Sequence, residues 1–140
     1  MCDENNALRV EKAIFVELKL TKVGPGVTLS FQDVPQLRGK FIQAIEAFTD
    51  EQLTLTPDNN PLIPSGSELE FAMTFNEESL KKIENIPYIS LIALQNAGIL
   101  RQFKNLEINI NKSIVRIGGA TASVGQSLGF MFYYTDRPVN

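Results

Sequence analysis

The chain has 140 residues, with 16 Asp and Glu against 13 Lys and Arg, for a net charge of −3. That length predicts one domain able to bury its own core, and the acidic balance argues against a nucleic-acid binder, which needs a basic footprint to neutralise phosphates. There is no histidine, so a Ser-His-Asp or Cys-His relay is impossible within the chain, and the commonest metal ligand is missing.

One cysteine, Cys2, leaves no intramolecular disulfide and fits a reducing compartment. The start, Met1-Cys2-Asp3-Glu4-Asn5-Asn6, is polar and acidic and reads unlike a signal peptide. The longest apolar run, around Ile86 to Leu94, is far short of a membrane span, so no span is expected. No cofactor is expected either.

Residues 1–11 are read as an N-terminal tail, residues 12–135 as a single β domain and residues 136–140 as a C-terminal tail. Lys12 to Leu20 alternates, with Ile14, Val16, Leu18 and Leu20 on one face and Phe15, Glu17 and Lys19 on the other. Gly24-Pro25-Gly26 forces a turn. Alternation returns at Val27 to Phe31, and residues 12–32 are expected to form a β-hairpin.

Leu37 to Phe48 is the stretch on which the chain is organised. Phe41, Ile45 and Phe48 suit a helix face, but the run also suits a strand. Gly39 would cost a helix about 1 kcal/mol relative to Ala, and no capping side chain precedes it. The expectation is a central strand. Thr49 to Gln52 then turns, and Leu53 to Leu55 is a short edge strand. Thr56 to Gly66 is a long loop whose three prolines remove three backbone donors.

Glu68 to Phe75 reads as a strand with Leu69, Phe71, Met73 and Phe75 on one face. Asn76 can cap a short helix near residues 77–84, with Leu80 and Ile83 facing the core. Tyr88 to Leu94 reads as a buried strand, Leu106 to Ile110 and Ser113 to Ile117 as two short ones, and Gly118 to Gly125 as a loop. Ser127 to Thr135 is the last strand, with Phe130, Phe132 and Tyr134 alternating against Met131 and Tyr133. About eight strands and one short helix predict an all-β, antiparallel sandwich of jelly-roll-like form.

Several stretches invite a chemical reading and are better explained without one. Gly118 to Gln126 lacks the Gly-Lys-Ser/Thr ending of a phosphate loop. Asp50, Glu51, Asp58, Asn59 and Asn60 supply oxygens but not at the spacing of a calcium loop. Glu17, Glu46, Glu68 and Glu70 name no glycosidase pair, and on alternating strands they read as a solvated face. Arg38 and Lys40 read as an edge pair or as ion-pair partners. An enzyme is therefore not expected.

The strand at Leu37-Arg38-Gly39-Lys40-Phe41-Ile42, the turn Thr49-Asp50-Glu51-Gln52, the segment Asn111-Lys112-Ser113-Ile114-Val115-Arg116-Ile117 and the aromatic last strand together resemble small jelly-roll or β-sandwich virion proteins of bacteriophages. The resemblance implies a non-enzymatic capsid or capsid-associated subunit, made in the host cytoplasm and carried in the virion. Its expected partners are copies of itself and other virion proteins, with no direct contact to nucleic acid. Pro57, Asn59, Asn60, Pro61, Leu62 and Pro64 of the polar loop, and Tyr133 of the last strand, are the candidate interface residues. The alternative is a sandwich binding module for a host protein or a carbohydrate. The lack of tryptophan weakens the carbohydrate form.

Overall fold

The computed structural model of the chain describes residues 12–50, 61–76, 82–92 and 100–139, with the backbone alone at 82–84. Eight strands run in order: β1 (Lys12–Lys19), β2 (Thr28–Ser30), β3 (Phe41–Phe48), β4 (Phe71–Asn76), β5 (Lys82–Pro87), β6 (Arg101–Leu106), β7 (Ile114–Ile117) and β8 (Ser127–Thr135). They form two antiparallel four-stranded sheets, ordered β1-β8-β3-β6 and β2-β7-β4-β5.

This order has a simple origin. The pairs β1·β8, β2·β7, β3·β6 and β4·β5 are those of one long double ribbon, with β1 to β4 running out and β5 to β8 running back. Wrapping that ribbon on itself sends alternate pairs to opposite sheets and brings β8 against β3 and β7 against β4. The result is the jelly-roll-like sandwich expected from the strand count.

The wrapping corrects the expected opening hairpin. β1 and β2 lie in different sheets, paired with β8 and β7 respectively. Period-2 alternation tells which face of a strand is buried, but not which strand lies beside it. Gly24 and Gly26 still make the predicted turn, at φ of +134° and +83°. That turn carries the chain across the edge of the sandwich.

The inner faces supply the core: Val16, Leu18, Ile45, Ala47, Leu128, Phe130 and Phe132 from one sheet, and Leu29, Phe71, Met73, Phe75, Val115 and Ile117 from the other. Aromatic rings join the two sheets. Phe130 lies edge-on to Phe31 and to Tyr88, each at a centroid distance of 5.3 Å, and Phe132 lies edge-on to Phe75 at 6.3 Å. These tilted geometries suit the ring quadrupole. The expected central strand is β3, held between β8 and β6.

Four expectations need correction. Ser67–Glu70 is a 3₁₀ turn, not the start of a strand. The change of period brings Glu68 inside (4% exposed) and pushes Leu69 out (74% exposed). Tyr88–Leu91 is likewise a 3₁₀ turn and not extended; Tyr88, Leu91 and Ile92 are buried, Ile89 and Ser90 are half-buried, and residues 93–94 lie outside the described ones. The strand placed at residues 106–110 lies earlier, at Arg101–Leu106, and Ile110–Lys112 is 3₁₀. Lys82–Pro87 is a strand, so the helix near residues 77–84 does not extend over residues 82–84, while residues 77–81 lie outside the described ones. Asn85 there adopts a positive φ of 54°, and Pro87 lies in an edge strand, where a missing donor is tolerated. The short strand at 53–55 also lies outside the described residues.

Candidate assembly surface

The outer face of the β1-β8-β3-β6 sheet follows from its registers. One cross-strand row reads Ala13, Tyr133, Ala44 and Gln102; the next reads Phe15, Met131 and Glu46; the third reads Glu17, Gly129 and Phe48. Phe15, Phe48, Met131 and Tyr133 are half-buried. The Phe15 and Phe48 rings meet at 6.0 Å across the middle strand. Both polar groups of the Glu46–Tyr133 pair are engaged, since the Tyr133 hydroxyl donates to Glu46 Oε1 at 3.0 Å. Glu17 Oε2 accepts from the Ser127 hydroxyl at 2.7 Å.

Gly129 explains how Phe15 can lie so low. A Cβ there would stand 2.8 Å from Phe15 Cζ and 3.1 Å from Leu62 Cδ2. The glycine makes room for an apolar cap on the outer face. On its inner side lies the Tyr88 hydroxyl, wholly buried. Phe48 and Gly129 are register partners in the β3·β8 ladder, yet both turn their backbone groups to Tyr88. The hydroxyl points at the Phe48 carbonyl (2.7 Å) and the Gly129 carbonyl (2.9 Å), and accepts from the N–H groups of Gly129 (3.1 Å) and Phe48 (3.3 Å). Its single proton serves two carbonyls, and its lone pairs take the two N–H groups. Burial pushes this phenol well above its ordinary value, against the smaller opposing pull of its backbone partners.

The opposite end of the same sheet is polar. A register shift in β3 between Ile42 and Ala44 sets Gln43 outside the regular ladder. Gln43 Nε2 donates to Asn105 Oδ1 (2.7 Å) and Thr135 Oγ1 (3.1 Å), and its Oε1 accepts from the Asn105 N–H (3.2 Å). Asn105, at φ +50°, also binds the backbone of Val139 in both directions at 2.7 Å. Asp136 bridges Lys12 of β1 (2.8 Å) and Lys40 before β3 (3.1 Å). The Lys12 and Lys40 ammonium groups hold its carboxyl below the usual value, and Asp136 raises Lys12 in turn. Residues 136–139, expected as a tail, are thus tied to this sheet.

The candidate interface residues separate. Pro57, Asn59 and Asn60 lie outside the described residues. Pro61 and Pro64 are exposed. Leu62 is buried (2% exposed), which removes it as a contact residue. Its segment forms a parallel bridge to Ser127, with Ile63 N–H donating to the Ser127 carbonyl at 3.1 Å. Tyr133 is half-buried on the same sheet, six residues along β8, roughly 20 Å away. Loop and tyrosine therefore belong to one sheet but not to one contact patch.

The glycine-rich loop binds the chain itself. Thr121 N–H donates to Glu70 Oε1 at 3.1 Å, the Thr121 hydroxyl donates to the other carboxylate oxygen, and Gly118 N–H donates to the Glu70 carbonyl at 2.6 Å. Gly119 carries no Cβ because one would collide with the Glu70 side chain at 2.5 Å. The loop's donors are thus turned to a carboxylate of the protein itself. The four candidate glutamates do not converge: Glu17 and Glu46 sit two strands apart on one outer face, Glu70 organises the loop, and Glu68 is buried with an Oε2 that accepts no hydrogen bond. Among the described residues no group of three or more Cys, Asp or Glu could hold a metal ion, and no helix is long and apolar enough to cross a membrane. Arg38 pairs with Asp33, not with a glutamate.

Sequence reasoning missed two features. Among the described residues Leu69 and Val124 are the exposed large hydrophobics, at 74% and 63%, and they lie on the two segments that Glu70 ties together. Leu69 was hidden by the false strand period at residues 68–75. The edges were also missed. β2 has only three residues, β5 carries Asn85 and ends in Pro87, and β6 carries Asn105 with Arg101 and Lys104 exposed. Each is thereby made a poor template for another strand. β1 carries exposed Lys12 and Lys19, but no proline and no positive-φ asparagine breaks it, and its eight residues pair with β8 in unbroken register.

Comparison with protein-family models, with curated proteins and with solved structures yields no match.

Proposed function

We propose that this chain is a non-enzymatic structural subunit of a bacteriophage particle, a capsid or capsid-associated protein that assembles with copies of itself. The observation that carries the reading is the strand order β1-β8-β3-β6 over β2-β7-β4-β5. This two-sheet wrapping is an architecture used by viral capsid domains, and also by lectins and cupins. The step from architecture to role is an analogy, and the surface gives it direction. Chemistry-bearing side chains are engaged in holding the fold, as Glu70, Glu46 and Tyr88 illustrate. Among the described residues the chain presents outward a half-apolar sheet face, the exposed Leu69 and Val124, and the long unbroken edge of β1. Assembly works through such features, by burying apolar surface between copies while polar groups set the register.

The test is whether the chain is a particle component. Purified particles from an infected culture, separated on a density gradient and analysed by mass spectrometry, should contain it at many copies each. Its absence from the particle fraction, with the chain recovered only as a free protein, overturns the proposal and turns attention to a binding module.

A further inference from the structure

We infer that the outer edge of β1 is a self-pairing edge, at which two copies of the chain join across a two-fold axis into one continuous eight-stranded sheet. The inference deepens the reading as a self-assembling subunit and rests on it. Three edges of the sandwich are blunted by shortness, by positive-φ asparagines or by proline. β1 has none of these three and runs in unbroken register, with exposed lysines at Lys12 and Lys19.

Its backbone orientation is known from its end. Leu20 donates its N–H to the Gln126 carbonyl (2.8 Å) and accepts at its carbonyl from Gly125 (3.0 Å), so both groups face the β8 side. In an antiparallel strand this orientation alternates. The N–H and C=O of residues 13, 15, 17 and 19 therefore point to the opposite side, where no strand pairs with β1 among the described residues. A cleft of about 410 Å³ runs along that side, lined by Glu17, Leu18 and Lys19 of β1 and by Thr28, Leu29 and Ser30 of β2. It leaves room for another strand beside the second half of β1.

The side chains specify a second copy as the occupant. Centring an antiparallel pair on Leu18 places Glu17 of each copy opposite Lys19 of the other, twice by symmetry. The same register sets Val16 against Leu20. Leu18, Val16 and Leu20 all face the core, so both sandwiches keep their cores on one side of the joined sheet. Lys19 is exposed. Glu17 retains its Ser127 bond, because a carboxylate accepts several hydrogen bonds. Opposite charges directly across a ladder favour pairing, and like charges oppose it.

The test is sedimentation velocity across a concentration series on four proteins: the wild type, Lys19→Glu, Glu17→Lys and the double variant with both changes. Each single change puts like charges opposite each other twice and should raise the dimer dissociation constant roughly tenfold. The double variant restores opposite charges and should recover most of the affinity. Lys19→Glu alters an exposed side chain, so it keeps the test sound if Glu17→Lys weakens the fold. In the wild-type dimer, amide exchange should slow at Glu17 and Lys19, whose backbone groups face each other in this register, relative to dilute protein. Association that ignores both single changes, or single losses that the double variant does not recover, overturns the β1 edge and leaves the structural-subunit reading standing. No association at any concentration overturns both.

Discussion

The β3–β8 ladder meets polar side chains near both ends, and the two sites are built from opposite materials. At Phe48–Gly129 a single wholly buried hydroxyl, that of Tyr88, bonds all four backbone groups of the last ladder pair. At Gln43 the bulge is answered by half-exposed amides, Gln43 and Asn105, together with Thr135 and the backbone of Val139. The difference is one of alternatives. Where water reaches, a lost side-chain bond is replaced by a solvent bond. In an aromatic core it is not, and the orphaned groups keep their full desolvation cost. One residue therefore serves the dry site, while several share the wet one.

The sharpest way to break this comparison is Tyr88→Phe. It keeps the ring against Phe71 and Phe130 but leaves the Phe48 and Gly129 groups without their partner. A loss of about 3 kcal/mol in urea unfolding is expected. A loss under about 1 kcal/mol would mean that the ladder pair satisfies its backbone groups without the hydroxyl. The same residue has a pH signature. Its folded-state pKa is raised, so its contribution is complete below the ordinary tyrosine value of 10.0 and is lost as pH rises above it. Wild-type stability should therefore fall above pH 10 more steeply than that of Tyr88→Phe, by about 1.4 kcal/mol per pH unit. Parallel slopes would contradict the assignment.

Gly129→Ala comes next. Its Cβ must displace Phe15 and Leu62 from the outer cap, with an expected loss of about 1–2 kcal/mol. Shortening the opposing ring in a Phe15→Leu/Gly129→Ala double variant should recover part of that loss. Strict additivity would show that the two side chains do not meet. At the wet end, Gln43→Ala should cost only about 1 kcal/mol, and a loss equal to that of Tyr88→Phe would erase the distinction. The smallest effect belongs to Asp136. Its carboxyl is held low by Lys12 and Lys40, so its contribution is present above the ordinary value of 3.8 and disappears as pH falls below it. Asp136→Asn should lower stability slightly near pH 7, leave it unchanged at the acid end where the carboxyl is already protonated, and so flatten the acid limb of the profile.

Much of the fold is legible in the sequence because strands announce their faces. The alternation at Lys12–Lys19 and Ser127–Thr135 locates β1 and β8, and the glycines around Pro25 locate a turn. Partners are not legible by the same route. β1 was expected beside β2, yet it pairs with a strand more than a hundred residues away in sequence, because wrapping a double ribbon leaves no local mark. The period was misread where 3₁₀ turns intervene, which reversed Glu68 and Leu69. Of the candidate surface, Tyr133 was visible as the outward member of an aromatic strand. The role of Gly129 was not, since only the packing of Phe15, Phe48, Leu62 and Tyr88 around it gives the residue its meaning. The β1 edge could have been suspected from an eight-residue run without glycine or proline, but its opposite edge had to be known first.

The most direct test of the account as a whole is the native mass of the purified chain by light scattering, from dilute to concentrated solution. The account predicts a mass that climbs from the 15.6 kDa protomer through a dimer to a defined larger assembly. A single 15.6 kDa species at every concentration would contradict it.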